Sequence, residues 1–393
     1  MTAADAAGRL GVSRPTLYAY VSRGFVRSQS TPGPSRARAY AREDVERLRR
    51  RTEERRDPDK AAARALQWGV PILESAITLI DGHRLFYRGH DAAGLAQSRS
   101  LQEVASLVWT GRFDAAWPSG TRRPGTFALR DGLPFVARAQ ALLARAAAED
   151  TAALDVRPGK AASAGWRILR LLTAAATQSA GGGMTVDRAL ARAWGVRGHG
   201  VDVLRSALIL CADHELNVSS FTARCVASAG SSPYAVVIAG LAALEGTRHG
   251  GASARVESML ASLRRMRDLK GAVADRVRRG EAVDGLGHPL YPGGDPRAVV
   301  LMGQLRQWYG RSAERAFVEE FAAVASSTLG ERPNLDFALA AVARVLRLPA
   351  GAPLVLFAIG RSVGWIGHAI EQYETGQLIR PRAKYVGVVP GAG

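Results

Sequence analysis

The sequence predicts an all-α protein with one minor β element, preceded by a small N-terminal module of a different kind. Three observations carry that expectation. From about residue 60 onward, segments such as A-A-A-R-A-L-Q-W, S-L-Q-E-V-A-S-L-V-W, G-W-R-I-L-R-L-L-T-A-A-A-T and F-A-L-A-A-V-A-R-V-L-R-L repeat apolar residues every three or four positions. That spacing lines one face of a helix. Gly and Pro gather between the periodic segments, as at 117–125 and 285–296, where helices must stop. A single strand candidate, I-T-L-I-D-G-H-R-L-F-Y-R-G, places two short apolar runs around a D-G turn and reads as a small hairpin.

The first module spans residues 1–58. T-A-A-D-A-A-G-R-L is a short helix with alanine and leucine on one face, and G-V-S is a turn in which Ser13 caps the next helix. Pro15 is tolerated in the first turn of that helix, T-L-Y-A-Y-V-S-R-G, which Gly24 ends. T-P-G-P-S-R-A-R-A-Y cannot be helical and reads as a loop or wing carrying Arg36 and Arg38. A last helix, R-E-D-V-E-R-L-R-R-R-T-E-E-R-R, follows, and D-P-D is a linker.

L-G-V-S-x-x-T-L-Y-x-Y before a wing and an x-Y-x-x-x-D-V-x-x-L helix resembles the winged helix-turn-helix of MerR-type and excisionase-type regulators. The resemblance implies that Ser13, Arg14, Thr16, Tyr18 and Tyr20 lie on or near a recognition helix. Arg36 and Arg38 would then contact DNA phosphates. A three-helix module used for protein contacts is the alternative.

Bulk composition bounds the rest. A chain of 393 residues is long enough for two or three domains, and 47% hydrophobic with 22% charged residues suits a soluble globular protein. The longest apolar stretch, roughly 233–244, is short of the ~18–20 residues that span a bilayer, so no membrane partner is expected. The N-terminus lacks an apolar export signal, and two cysteines, Cys211 and Cys225, exclude a disulfide scaffold. A cytoplasmic protein is the expectation. The net charge of +18 is uneven: residues 1–60 carry 14 basic and 8 acidic side chains, against 39 and 27 in the other 333. The denser excess favours nucleic-acid binding by the N-terminal module.

Chemistry concentrates in five segments: D-H-E-L-N-V-S-S around His214, R-H-G-G-A around His249, G-L-G-H-P-L-Y-P-G-G-D-P-R around His288, P-N-L-D-F with Asp336, and G-R-S-V-G-W with Arg361. Together they offer a carboxylate base, polarising imidazoles and guanidinium clamps. A metal site built from D-H-E is disfavoured, because adjacent residues on a helix point apart. Asp336 by itself also fits a helix N-cap, and Arg297 an ion pair with Asp295.

In order and spacing these segments resemble the active-site segments of the citrate synthase family, over about residues 70–390. The resemblance implies a large helical domain (60–252 and 340–393) interrupted by a small closing domain (253–339). It implies condensation of acetyl-CoA with oxaloacetate and water, giving citrate and coenzyme A, with coenzyme A present as a thioester substrate and no cofactor or metal. By resemblance Asp336 is the base, His249 holds the enol oxygen and His288 polarises the ketone. His214, Arg297 and Arg361 bind oxaloacetate. Arg380, with Arg382 as neighbouring alternative, matches a position given by the partner subunit, which implies a homodimer.

The chain departs from the family pattern at Pro292, where a basic residue usually meets a coenzyme A phosphate, and in E-G-T-R before His249, which adds Glu245 and Arg248. 2-Methylcitrate synthases share the motifs, so propionyl-CoA is a second thioester to consider. A DNA-binding regulator with a metabolite-sensing core is the rival from another class.

Overall fold

The computed structural model describes residues 1–30, 38–46, 48–49, 73–114, 132–179, 183–383 and 385–388. The chain divides into two compact units, Met1–Glu74 and Ser75–Gly393.

In the first unit, α1 (Ala3–Leu10) opens on a capping box: Thr2 Oγ1 accepts from the Asp5 N–H while the Asp5 carboxylate accepts from the Thr2 N–H. Gly11, at φ 63, ends it. Ser13 caps α2 (Arg14–Ser22), as its position in the sequence predicts. Strands β1 (Ser28–Ser30) and β2 (Arg38–Tyr40) pair antiparallel with Ser28 opposite Tyr40. The backbone is helical again over 42–46 and 48–49. Ala6, Ala7, Leu10, Leu17, Val26, Tyr40 and Val45 form the core of this unit, and Asp44 accepts from the backbone and guanidinium of Arg27. Arg36 and the D-P-D linker lie outside the described residues. Tyr20 lies on α2, where it packs on this core and edge-on to Phe25.

The second unit opens with β3 (Thr78–Asp81) and β4 (Arg84–Tyr87), paired so that Asp81 faces Arg84 across the D-G turn. A third strand, β5 (His90–Asp91), extends the hairpin beyond the two-stranded expectation. Helices follow: α3 (Ala92–Ser98), α4 (Leu101–Thr110), α5 (Phe135–Glu149), α6 (Pro158–Thr177), α7 (Val186–Ala193), α8 (His199–Leu210), α9 (Val218–Ser228) and α10 (Pro233–Leu244). The chain continues through α11 (Gly251–Leu263), α12 (Leu269–Arg278), α13 (Pro296–Trp308), α14 (Ala313–Leu329), α15 (Leu335–Leu346) and α16 (Ala352–Thr375). The limits 253 and 339 read from the sequence both fall inside continuous helices, α11 and α15.

α16 is the hub of the core, packing on α4, α6, α8, α9, α10 and α15. It corrects the expectation about apolar stretches, being long and apolar enough by composition to cross a membrane. Burial explains that composition, since 94% of its apolar window is inside the protein. Two glycines let neighbours approach. A Cβ on Gly364 would lie 2.5 Å from the Ala212 carbonyl oxygen, and one on Gly240 of α10 would lie 2.6 Å from the Trp365 ring. The Gly364 N–H donates to that Ala212 oxygen at 2.9 Å, which sets the loop after α8 directly on α16. A second group of helices gathers on α15, which α11, α13 and α14 contact.

Candidate active site

Hydrogen bonds between backbones bring the distant motifs together. Gly287 N donates to Arg332 O at 2.8 Å and Asn334 N donates to Gly285 O at 2.9 Å, joining the His288 loop to the chain entering α15. Asn334 caps α15, accepting from Phe337 N, and its Nδ2 donates to Gly287 O at 3.0 Å. Asp336 is therefore not the cap that its position alone suggested. It sits in the first helical turn, half-buried, and accepts a hydrogen bond from Ser253 Oγ at 2.5 Å. Burial raises its carboxyl above the ordinary value, with Ser253 and Arg297 opposing.

Asp295 is the second organiser. It caps α13, its Oδ2 accepts from Leu335 N at 3.0 Å, and it binds Arg297 through Nε at 2.9 Å and Nη2 at 2.7 Å. Both side chains are almost fully buried. The pairing weighed for Arg297 in the sequence is thus present, and it is a buried bidentate clamp.

Each of the three motif histidines has a defined setting. His288 Nδ1 accepts from Leu290 N at 3.2 Å, which puts the imidazole proton on Nε2. His214 Nε2 lies 3.0 Å from Tyr291 Oη, and its ring meets His288 edge-on at 5.0 Å. His249 Nε2 lies 2.9 Å from Ser219 Oγ. Ser219 accepts from Trp365 Nε1 at 3.1 Å and has one hydrogen to give, to Asn217 Oδ1 at 2.8 Å or to His249. Asn217 Oδ1 already accepts from the Ser219 and Ser220 N–H groups. Donation to His249 leaves no acceptor unpaired and places that imidazole's proton on Nδ1.

All three imidazoles are held neutral. Burial, then the positive field of Arg361, lowers His249 to about 4; burial, then Arg297, lowers His288 to about 4. His214 is lowered well below its ordinary value by burial and both arginines. The unfolded chain, with histidines near 6.5, therefore binds more protons between pH 6.5 and 4. Each histidine contributes stability that is present above that window and lost as pH falls through it. The slope is at most about 1.4 kcal/mol per pH unit per group. We expect a His249→Asn/His288→Asn variant to show a shallower loss of urea midpoint between pH 7 and 4 than wild type. Identical slopes would refute neutral burial.

Arg361 is 1% exposed, donates from Nε to Cys211 O at 2.8 Å and lies 4.7 Å over the Phe357 ring. Among the described residues no carboxylate stands within 4.0 Å of it. Asp213 turns away from His214 and serves the packing of the core. Its Oδ1 lies 3.2 Å from His368 Nε2 and its Oδ2 accepts from Thr78 at 2.6 Å. His368 is fully buried. Glu215 is exposed at φ 51, which separates the two acids flanking His214. Among the described residues no group of three or more His, Cys, Asp or Glu is placed to hold a metal ion.

Arg380 is not brought to this cluster by its own chain. It is exposed in the irregular segment after α16. Arg248 and Pro292 are exposed beside His249 and His288. In the first unit Ser13, Arg14, Tyr18 and Arg38 are exposed and Thr16 is half-buried, its N–H and hydroxyl engaged by Ser13. Ser219, Ser253, Tyr291, Asn334 and Trp365 were missed in the sequence. Only their places inside the recognised motifs or beside them could have drawn attention to them.

The family model for "Citrate synthase, C-terminal domain" matches residues 13–122 and 126–382. The chain belongs to the citrate synthase family. Citrate synthase of Haloferax volcanii is 32% identical over 362 residues, 81% of this chain and 94% of that protein. Citrate synthase 2 of Bacillus subtilis is 35% identical over 190 residues, 48% of this chain and 51% of its own length. Citrate synthase from the archaeon Thermoplasma acidophilum, solved with carboxymethyl coenzyme A and oxaloacetate, superposes with a TM-score of 0.68 at 25% identity, covering 83% of this chain and 96% of that one. The citrate synthase fold expected from the motifs is the fold observed.

Proposed function

We propose that the chain condenses acetyl-CoA with oxaloacetate and water, releasing citrate and coenzyme A. The observation that carries this is Arg361. A buried guanidinium with no carboxylate within 4.0 Å among the described residues calls for an anionic ligand. Beside it stand three neutral imidazoles and a carboxyl raised by burial, a set suited to moving a proton from carbon.

In this reaction Asp336 removes a methyl proton from the thioester while His249 Nδ1–H stabilises the oxygen that gains charge. The enol carbon attacks the ketone of oxaloacetate, and His288 Nε2–H donates to the oxygen formed. Water then cleaves the C–S bond, the thiol leaving with its proton. His214, Arg297 and Arg361 hold the dicarboxylate, and Arg380 completes the site from a second copy in a homodimer. Helices α11 to α14 close over the substrates as a small domain. The steps use no metal or redox group.

Thiol release from acetyl-CoA, with and without oxaloacetate and beside propionyl-CoA, tests the proposal. Oxaloacetate-dependent release supports it, and faster release from propionyl-CoA would make the enzyme a 2-methylcitrate synthase. Absence of release from both, with oxaloacetate still bound, would leave a metabolite sensor.

A second reading concerns the first unit: we propose that it binds DNA. In support, α2 turns Leu17 into its own core and leaves Arg14 and Tyr18 exposed, while Arg38 on β2 is exposed as well. Those residues, with Ser13, Thr16 and Arg36, would contact the duplex. A salt-sensitive mobility shift is the expected result; no binding to a random duplex pool at low salt would end this reading.

A further inference from the structure

Ser253 is 1% exposed, lies one helical turn beyond His249 and gives its hydroxyl hydrogen to Asp336 Oδ1 at 2.5 Å. A carboxylate can only accept, so the serine is the donor. We propose that Ser253 is a positioning residue of the reaction: its hydroxyl holds the Asp336 carboxylate in one orientation and ties it to the helix that follows His249. This inference rests on the condensation proposed above.

Three physical consequences support it. Oδ1 carries the serine hydrogen bond, which leaves Oδ2 the more basic oxygen for a substrate proton. α11 begins two residues after His249 and packs on α15, so the Ser253–Asp336 bond couples the base to the imidazole that serves the same thioester. The bond also favours the charged carboxylate against burial, which pushes the other way. The remaining charged groups acting on Asp336 are Arg297 and Asp295 from the start of α13 and Arg255 from α11. Among the described residues neither arginine donates a hydrogen bond to Asp336, so the serine is distinct from them in making direct contact.

The test is the pH dependence of kcat in Ser253→Ala against wild type, with KM for oxaloacetate measured alongside. A hydrogen bond to a charged group is worth about 10- to 100-fold. We therefore expect kcat on the acid limb to fall by about that factor, with KM for oxaloacetate within about two-fold. Losing the donor raises the acid form's pKa, so the acid limb moves up by about one to two pH units and the deficit shrinks as pH rises. Ser253→Cys, near in size but a much weaker donor, must move the limb the same way and serves if the alanine variant does not fold. A deficit equal at every pH, or an unmoved acid limb, overturns the proposal while the wild-type activity stands. A wild-type protein that releases no thiol overturns the condensation itself, and the role of Ser253 with it.

Discussion

Asp336→Asn should lower kcat for oxaloacetate-dependent thiol release by about 10²–10⁴-fold, the usual contribution of a positioned general base. The substitution keeps the shape of the side chain and leaves an oxygen for Ser253 Oγ, which donates to Oδ1 at 2.5 Å in the native chain. It removes the one property that the reaction needs, a carboxylate able to take a proton. Groups proposed to hold oxaloacetate are untouched, since Arg361 is anchored on Cys211 O and His288 on Leu290 N. Calorimetric affinity for oxaloacetate should therefore stay within about two-fold, because no contact to that ligand is removed. A variant retaining a tenth or more of the wild-type kcat would take the base assignment away from Asp336.

Arg297→Met should be the most damaging single change to stability. Arg297 and Asp295 are 4% and 0% exposed at their side chains, joined by two hydrogen bonds, and Asp295 also accepts from Leu335 N. Removing one partner of such a pair leaves an uncompensated buried charge and costs about 3–5 kcal/mol. The sign with pH is specific. In the native chain Asp295 is raised by burial but lowered more by Arg297, so its net value lies below the usual carboxylate range. That contribution is present above the unfolded value and lost as pH falls through the folded one. Without the Arg297 guanidinium, burial is opposed mainly by the backbone N–H groups of residue 297 and Leu335, so the carboxyl rises and the penalty grows with pH. The difference in urea midpoint between variant and wild type should be larger at pH 7 than at pH 4.5. Adding Asp295→Asn should recover part of the loss. A difference that is the same at both pH values would mean that the pair carries no net charge coupling.

Much of this molecule was legible in the chain. The helical class follows from apolar spacing of three and four residues, which only a helix turns into one face. The hairpin was read from D-G between short apolar runs, although β5 was not, because two residues carry no periodicity. His214, His249, His288, Asp336, Arg297 and Arg361 were visible because their segments resemble, in order and spacing, the active-site segments of the citrate synthase family. Their supporting residues were not visible. Ser219, Ser253 and Tyr291 are ordinary polar residues, and what makes them matter is a neighbour 30 to 83 positions away. The partners of Asp213 were equally out of view: Thr78 and His368 are 135 and 155 residues distant.

The sequence by itself determined which segments are helical in character and which side chains are chemically capable. Those are local properties, set by backbone geometry and by residues within one or two turns. Only the tertiary structure decided their state. Burial beside Arg297 and Arg361 holds His249 and His288 neutral, the Asn334 cap frees Asp336 from capping duty, and Asp295 pairs with Arg297 rather than with water. These outcomes depend on desolvation and on charges brought close by the fold, and neither quantity is a function of sequence distance.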